Sequence, residues 1–273
     1  MKDNARILPS AWRERLPETV EEIRLRVGQR PTVRTANGET ALSGDAVTAA
    51  DLQSVLAAAT ERSRYAVGET LKAGFLMLPS GWRLGVCGTC VCDENGVRTI
   101  RDPTSLCIRA AHARVGIGTT LRRSALILGP PGCGKTTLLR DCVRILSDMG
   151  SRVGLVDERG EVAACTDGQI GFAVGKNTDI LTGCEKADGM MMLLRTMTPE
   201  WIAVDEITRP QDVDAMVQAS YCGVNLIATA HADSAADLHR RPVYRRLLAE
   251  GLFADALVMR RDHTYKVEKL CEN

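Results

Sequence analysis

Residues 129–136 read GPPGCGKT, a stretch whose residue types suggest phosphate chemistry because it matches the pattern G-x-x-x-x-G-K-[ST]. In that pattern glycines let backbone N–H groups reach phosphate oxygens, the lysine reaches the β- and γ-phosphates, and the hydroxyl binds Mg²⁺. An apolar strand precedes the loop and a helix follows it, which disfavours a simple turn without a ligand. We predict a phosphate-binding loop formed by Gly129, Pro130, Pro131, Gly132, Cys133, Gly134, Lys135, Thr136 and Thr137.

Two adjacent acids, Asp205 and Glu206, end the apolar strand WIAVDE. Downstream of a phosphate loop, the first acid of such a strand holds Mg²⁺ through water, so we predict Thr136 and Asp205 as the metal-binding residues. Glu206 could polarise the attacking water, and the nucleotide would then be hydrolysed. A solvated strand end is the alternative. The preceding run GMMMLLRTM is typical of a helix packed against a sheet, with a flexible partner groove as the minority interpretation.

Two further strand ends carry polar residues that could join this chemistry. NLIATAH ends with Thr229 and His231, where a polar side chain can sense the γ-phosphate, although a loop histidine bonded to backbone is the alternative. RVGLVDERGE places Asp157 and Glu158 on another strand, and Glu158 could orient water unless it belongs to an acid cluster at a helix start. We predict catalytic roles for Lys135, Glu206, Glu158 and His231.

These residues need elements that bring them together, and the second half of the chain supplies a suitable pattern. From about Leu121, apolar strand-like runs alternate with helical runs, which predicts parallel strands joined by crossover helices in a three-layer α/β domain. Ligands of such sheets bind beyond the carboxyl ends of the strands. The segments GPPG, DER, DEIT and TAHAD should therefore lie along one edge.

The first half predicts a small α+β domain. EEIRLRVG and PTVRT alternate like strands, Asn37-Gly38 can turn a hairpin, and Thr48 is a good N-cap for the apolar helix LQSVLAAAT. Short strands joined by PSG and DENG turns follow. We predict an α+β domain over residues 1–114 and an α/β domain over residues 115–273.

Composition limits the partners and the compartment. The 273 residues carry a net charge of +1, so no global field favours nucleic acid or anionic lipid, and nucleic acid is not a predicted partner. The start of the chain lacks a signal-peptide pattern and no stretch approaches a membrane span, which predicts a cytosolic protein. The basic cluster at residues 239–248 is interpreted as a solvated helix face, with nucleic acid or lipid contact as the alternative.

Ten cysteines are many for a cytosolic chain, but a disulfide framework is not expected without export. Cys87-x-x-Cys90 has the spacing of a metal half-site, yet no second pair follows at zinc-ribbon distance, so Cys87, Cys90 and Cys92 are predicted to be buried strand thiols.

Several longer strings together resemble one family. VGLVDERGE, KADGMMMLLRTMTPEWIAVDEI and NLIATAHADS are similar to the stage III sporulation protein AA family of endospore-forming bacteria, and EIRLRVGQRP and GWRLGVCG extend the resemblance through the first half. More distantly, the pattern resembles the ATPases of type II and type IV secretion and pilus machines. The chain departs from them in having Asp-Glu where many have Gly-Glu, and we expect it to lack their long C-terminal helices because the sequence runs out about where the predicted core ends.

The resemblance implies the fold, the ligands and the partners. It implies a RecA-like P-loop NTPase core beneath a small N-terminal α+β domain, with ATP and Mg²⁺ as ligands. It also implies an ATPase on the mother-cell side of a channel complex to the forespore, peripheral to the membrane through membrane-protein partners. A single-stranded-nucleic-acid-linked ATPase and a nucleotide-gated scaffold with little hydrolysis are the alternatives; a nucleotide kinase is disfavoured because no arginine-rich lid follows the core strands.

The resemblance further implies a homo-hexameric ring in which an arginine of one subunit acts at the site of the next, as arginines do in related enzymes. Arg195 and Arg209 are the favoured candidates because they flank the acid strand. The other candidates are Arg159, Arg83, Arg101 and Arg109, and any of them could instead be an ordinary surface or salt-bridge residue.

Overall fold

A computed structural model describes residues 4–61, 74–78, 82–94, 96–109, 115–165 and 168–270. The chain divides into a first unit, Met1–His112 with Ala164–Phe172, and a second unit, Ala113–Ala163 with Ala173–Asn273. The domain boundary predicted at 114/115 stays a prediction, and the inclusion of Ala164–Phe172 in the first unit was not predicted. Within the described residues, no helix has the length and apolar character needed to cross a membrane.

The first unit contains a six-stranded antiparallel sheet with the strand order β3-β2-β1-β6-β5-β4. Its strands are β1 (Glu22–Arg26), β2 (Thr32–Thr35), β3 (Gly38–Ala41), β4 (Phe75–Leu78), β5 (Trp82–Asp93) and β6 (Gly96–Arg109). A 3-10 turn (Asn4–Ile7) and the helices α1 (Ser10–Arg13) and α2 (Ala49–Glu61) complete the described elements. The predicted α+β class and the hairpin at Asn37-Gly38 are confirmed.

Helix α2 begins where the sequence predicts. Thr48 and Asp51 cap it reciprocally, because each donates its backbone N–H to the other's side chain, at 2.8 Å and 3.2 Å. Leu52, Val55 and Ala59 recur at helical spacing and are fully buried, so one face of α2 packs into the core of the first unit.

Two predictions on the first unit have other outcomes. Cys87, Cys90 and Cys92 are exposed free thiols on β5, so the prediction that they are buried is wrong. The apolar alternation of β5 buries Trp82, Leu84 and Val86 but stops there, and the second half of the strand is mostly solvent-facing. The predicted PSG turn lies outside the described residues.

The second unit contains a seven-stranded sheet with the order β13-β12-β7-β11-β10-β8-β9. The strands are β7 (Ala125–Leu128), β8 (Val153–Asp157), β9 (Thr178–Thr182), β10 (Trp201–Val204), β11 (Asn225–Ala230), β12 (Asp255–Met259) and β13 (Tyr265–Lys269). The helices are α3 (Lys135–Asp148), α4 (Lys186–Thr196), α5 (Pro210–Tyr221), α6 (Ala235–Leu238) and α7 (Pro242–Ala249). Every strand pair is parallel except β12–β13. The predicted α/β class with a mainly parallel sheet is confirmed.

Burial explains why the central strands were readable from the sequence. β7, β8 and β10 are buried at every position, as strands covered on both faces must be. α4, α5 and α7 bury residues in a single hydrophobic cluster with these strands, and Met190 of α4 lies inside it whereas Met192 is exposed. The edge strands β9 and β13 carry few buried side chains and were not predicted. The parallel register brings the carboxyl ends of β7, β11, β10 and β8 to one edge, as expected.

Candidate active site

The glycine-rich loop, Gly129–Thr136, connects the end of β7 to the start of α3. Gly129 has no room for a side chain, because a Cβ there would lie 2.6 Å from the Cys133 sulfur. Gly134 is the N-cap of α3 with φ 97°, a left-handed conformation that favours glycine, and no side chain caps the helix there. The first N–H groups of α3 therefore lack a side-chain acceptor, which suits an anion placed at that end.

Lys135 lies folded back into this loop and is only 7% exposed. Its Nζ donates to the carbonyl oxygens of Gly129 and Pro130 at 3.0 Å and contacts Nδ1 of His231 at 3.1 Å. Burial lowers the pKa of Lys135 below its ordinary value, and the carboxylates of Asp205 and Glu206 oppose that shift. The ammonium group is thus held next to the position where a phosphate of the loop would lie.

Asp205 connects the loop to the neighbouring strands through two hydroxyl groups. The Thr136 hydroxyl donates to Oδ2 of Asp205 at 2.8 Å, and the Thr229 hydroxyl donates to Oδ1 at 2.6 Å. Thr229 is completely buried on β11, while Thr137 follows on α3 and is half-buried. The predicted metal-binding pair, Thr136 and Asp205, therefore lies within one hydrogen bond, and both groups offer the oxygen ligands that Mg²⁺ prefers.

Glu206 sits at a strained turn directly after β10. Its φ of 57° is a left-handed value that a residue with a side chain adopts at a cost. Thr229 holds the turn from both sides, because its hydroxyl accepts the Glu206 N–H at 2.8 Å and its carbonyl accepts the Ile207 N–H at 2.9 Å. The buried Tyr244 hydroxyl adds a further bond, donating to the Ile207 carbonyl at 3.2 Å.

The Glu206 carboxylate faces two basic groups. Nε2 of His231 lies 3.2 Å from Oε1, and Nη1 of Arg159 lies 3.5 Å from Oε2. A neutral His231 that accepts from Lys135 at Nδ1 carries its proton on Nε2, which is the nitrogen facing Glu206. Lys135, His231 and Glu206 then form a continuous line of contacts from the glycine-rich loop to the acid.

Asp157, at the end of β8, is bound in a different way. The carboxylate is 2% exposed and accepts backbone N–H groups of Glu161, Val162 and Ala163 at 2.8–3.1 Å. Burial raises the pKa of Asp157, and these N–H groups oppose the rise. Arg140 of α3 holds the same loop, because its guanidinium group donates to the carbonyl oxygens of Glu161 and Val162. Burial lowers the pKa of Arg140 to about 10.

Glu158 follows Asp157 and forms an ion pair with Lys186, the first residue of α4. Lys186 was not among the predicted site residues, because a lysine at a helix start carries no chemical signal in the sequence. Glu158 and Lys186 line a cavity of about 20 Å³ together with Asp205 and Glu206. This volume has room for about one water molecule. The cavity is lined by Asp157, Glu158, Arg159, Glu161, Lys186, Asp205 and Glu206.

A larger cavity of about 490 Å³ lies on the outer side of the glycine-rich loop. It is lined by Gly129, Pro130, Pro131, His231, Ala232, Asp233, Asp237, Arg240 and Arg241. Arg240 pairs with Asp237 at 3.1 Å and Arg241 lies 5.8 Å from the Tyr244 ring. The prediction that residues 239–248 form one helix face is wrong for these two arginines, because α7 begins at Pro242 and both lie in the turn between α6 and α7, beside the glycine-rich loop.

The comparison with known proteins decides the family. A model of the family described as "Sporulation stage III, protein AA" matches residues 6–268. The chain belongs to this family. It is 36% identical over 273 residues to "Stage III sporulation protein AA" of Bacillus subtilis (strain 168), covering 93% of this chain and 89% of that protein. The predicted resemblance is confirmed.

Two solved structures share the fold. The pilus retraction motor PilT, solved with bound ADP, matches with a TM-score of 0.65 at 15% identity over 92% of this chain and 77% of that chain. The ATPase DotB of Legionella pneumophila matches with a TM-score of 0.57 at 16% identity over 91% of this chain and 75% of that chain. The predicted RecA-like fold class is confirmed, and at these identities the likeness concerns the fold alone.

The predicted arginines of this family member are placed unequally. Arg159 contacts Glu206, and Arg209 pairs with Glu185, the N-cap residue of α4. Arg195 is exposed in the last turn of α4, nine residues from Lys186, or about 14 Å along the helix, so the structure does not bring it to the acid cavity.

The remaining candidates lie in the first unit. Arg83 stacks over the Phe75 ring at 3.9 Å, Arg109 pairs with Glu22 at 3.0 Å, and Arg101 is exposed on β6. A role for any of these arginines in a neighbouring subunit stays a prediction.

Proposed function

We propose that the protein binds ATP at the glycine-rich loop and hydrolyses it, with Glu206 polarising the attacking water. The observation that carries this proposal is the position of the Glu206 carboxylate, which lines a water-sized cavity together with Asp205, itself hydrogen-bonded to Thr136 of the loop. The same chain of contacts thus joins the group that would bind the nucleotide to the group that would activate water.

The residues present fit both ATP and Mg²⁺. The uncapped start of α3 and the buried Lys135 suit a triphosphate. Thr136 and Asp205 would hold Mg²⁺, which would neutralise developing charge on the phosphates when bound. Among the described residues, no cluster of three or more His, Cys, Asp or Glu could hold a metal ion.

In the proposed reaction, the water oxygen attacks the terminal phosphorus and forms a new P–O bond. The bond from that phosphorus to the bridging oxygen breaks, and ADP leaves with the electron pair. Glu206 accepts a proton of the water. Lys135 exchanges the carbonyl groups of Gly129 and Pro130 for phosphate oxygens, which frees Nδ1 of His231. His231 is thereby positioned to respond to the terminal phosphate.

We propose that this hydrolysis energises or gates a channel complex between mother cell and forespore during endospore formation. Membership of the sporulation family supports the context, and the fold shared with PilT and DotB supports a motor or gate. The protein would work in the mother-cell cytoplasm as a homo-hexamer, held at the membrane through membrane-protein partners. We propose that Arg209, which pairs with Glu185, and Arg159, which contacts Glu206, are the arginines that act across a subunit boundary of such a ring.

A nucleotide-gated scaffold with little hydrolysis is the second candidate. It is favoured by one observation: both oxygens of the Glu206 carboxylate contact basic groups, Oε1 that of His231 and Oε2 that of Arg159, and a structural ion pair would make the same contacts.

The test is phosphate release from ATP by the wild-type protein and by Glu206→Gln, with particle size measured with and without nucleotide. We expect turnover to fall roughly 100-fold or more in Glu206→Gln while ATP binding survives. Glu250→Gln, an exposed glutamate at the end of α7, is the matched control and should behave as wild type.

Equal turnover in wild type and Glu206→Gln would transfer the base role to Glu158. A larger species formed with nucleotide supports the ring. ATP binding without turnover, even after the membrane partner is added, would favour the scaffold.

A further inference from the structure

Lys186 is a buried lysine that the reaction described above does not use. Its side chain is 8% exposed, and its ammonium group pairs with the carboxylate of Glu158, which is 28% exposed. Lysine is almost never buried without a partner, because an unpaired ammonium in a low dielectric is costly. The chain therefore places Lys186 in the interior with a specific carboxylate to meet.

The position of this pair gives it a possible role beyond stability. The water-sized cavity beside Glu206 is lined by five carboxylates and two cations. The two cations are divided between the two glutamates that could act as a base, since Lys186 contacts Glu158 and Arg159 contacts Glu206. Glu158 and Arg159 line the same cavity, so Arg159 is a second cation that Glu158 could recruit.

We propose that Lys186 is a positioning residue of the hydrolysis: it holds Glu158 at the start of α4, so that Arg159 and His231 remain on Glu206. Without Lys186, the unpaired Glu158 carboxylate would compete for Arg159 and repel Glu206 across a cavity of about 20 Å³. Glu206 would then lose the contact that fixes its Oε2 atom. The inference rests on the proposed function, because it assigns Glu206 as the base.

The arrangement of α4 supports this division. Lys186 is the first residue of the helix and Glu185 is its N-cap, so the positive end of the helix dipole faces the same carboxylates as the Lys186 ammonium. Glu185 is itself drawn outward by Arg209. The start of α4 thus presents the Lys186 ammonium group to Glu158, while the nearby Glu185 is paired with Arg209.

The experiment is a charge cycle with four proteins: wild type, Lys186→Met, Glu158→Gln and the double variant. In Lys186→Met we expect kcat to fall about tenfold while the nucleotide Kd, measured with a fluorescent ATP analogue, changes less than about twofold. Removing Glu158 as well should restore kcat to within about threefold of Glu158→Gln, because no unpaired carboxylate remains. Lys186→Arg keeps the charge and should stay within about threefold of wild type.

Thermal unfolding of the same proteins separates positioning from folding. We expect Lys186→Met to lower Tm by about 5 °C and the double variant to lower it less. The matched control is Lys269→Met, which removes an equal charge from the exposed pair with Asp255 at the start of β12, on the opposite edge of the sheet. That variant should leave kcat unchanged.

The outcomes divide cleanly between the two proposals. Wild-type turnover in Lys186→Met would overturn the positioning role of Lys186, and so would a double variant that is no faster than Lys186→Met. Neither result would affect the assignment of Glu206 as the base, which the Glu206→Gln variant tests separately. Full turnover in Glu206→Gln with none in Glu158→Gln overturns the assignment of the base and the positioning role with it. Absent turnover in every protein also overturns both, and the melting cycle then reports only whether the ion pair exists.

Discussion

Asp157 is the last residue of β8 and Asp205 follows the neighbouring parallel strand β10, yet their carboxylates are bound by different kinds of donor. Asp157 accepts backbone N–H groups from residues 161–163, whereas Asp205 accepts the hydroxyl groups of Thr136 and Thr229. Backbone amides are fixed once the loop has folded, but a hydroxyl can rotate and turn its lone pairs to a new partner. Asp157 is therefore committed to holding its loop, while Asp205 remains available to a ligand.

The comparison shows that the role of an acid at the end of an apolar strand cannot be assigned until its hydrogen-bond donors are known. Both strands end in acids in the sequence, and a parallel sheet brings both to the same edge. The choice between structure and chemistry is made by the loop after β8, which turns back over Asp157, and by β11, which supplies the Thr229 hydroxyl to Asp205.

The largest effect should come from Asp205→Asn, which keeps the size of the side chain and removes its charge. We expect turnover of ATP to fall about 1000-fold, because the group that would hold Mg²⁺ is lost, and Tm to change by less than about 3 °C. Phosphate release and thermal unfolding measure the two quantities. Asp188→Asn, an exposed acid on α4, is the control. Full turnover in Asp205→Asn would erase the distinction between the two acids.

Asp157→Asn should give the converse result. An amide NH₂ would face backbone N–H donors at a site that is 2% exposed, so we expect the free energy of unfolding to fall by about 3 kcal/mol. Turnover measured well below the new Tm should fall much less than in Asp205→Asn. Denaturant titration and phosphate release at low temperature would check both statements, and an unchanged unfolding curve would contradict them.

Thr229→Val tests whether the rotatable hydroxyl matters. Valine has nearly the same shape but cannot donate to Asp205 or accept the Glu206 N–H, so we expect about a tenfold loss of turnover and about 1–2 kcal/mol of stability. Thr229→Ser retains the hydroxyl and should recover most of the turnover. A serine variant as slow as the valine variant would point to packing by the methyl group instead.

The smallest effect concerns a third kind of acid, held by charges. Burial alone would raise the pKa of Glu22, but hydrogen bonds and charges from Arg24 and Arg109 hold it below the ordinary value of 4.5. A lowered folded-state pKa contributes stability above pH 4.5, and that contribution is lost as pH falls below it.

We therefore expect the free energy of unfolding of the wild-type protein to be about 1 kcal/mol higher than that of Glu22→Gln at pH 7, and this difference to disappear towards pH 3. Melting curves across that range measure it. A difference that stays constant with pH would show that Glu22 acts through packing.

The fold class could be predicted from the sequence because buried strands and helices have characteristic local patterns of apolar residues. Fully apolar strands and capped helices such as β7 and α2 are recognisable one at a time. Strands β9 and β13, at the edges of the second sheet, were missed because few of their side chains are buried, and β13 reads as a polar segment. The addition of Ala164–Phe172 to the first unit depends on tertiary contacts that no local pattern encodes.

The candidate site divides in the same way. The glycine-rich loop, Asp205 and Glu206 belong to contiguous motifs, and the structure brings them together. Lys186, Tyr244 and Arg241 join the site through contacts that span tens of residues, and each stands in a segment that reads as ordinary helix. Such residues are accessible only once the order of the strands is known.

The left-handed backbone conformation of Glu206 affects the outcome of any selection for higher thermal stability. Glycine at that position would relieve roughly 1 kcal/mol of backbone strain, while the half-exposed contacts with His231 and Arg159 contribute little to folding. A library screened for heat resistance would therefore enrich glycine at position 206. The enriched variants would be thermally stable proteins that lack the proposed base, so selection for thermal stability needs a simultaneous assay of turnover.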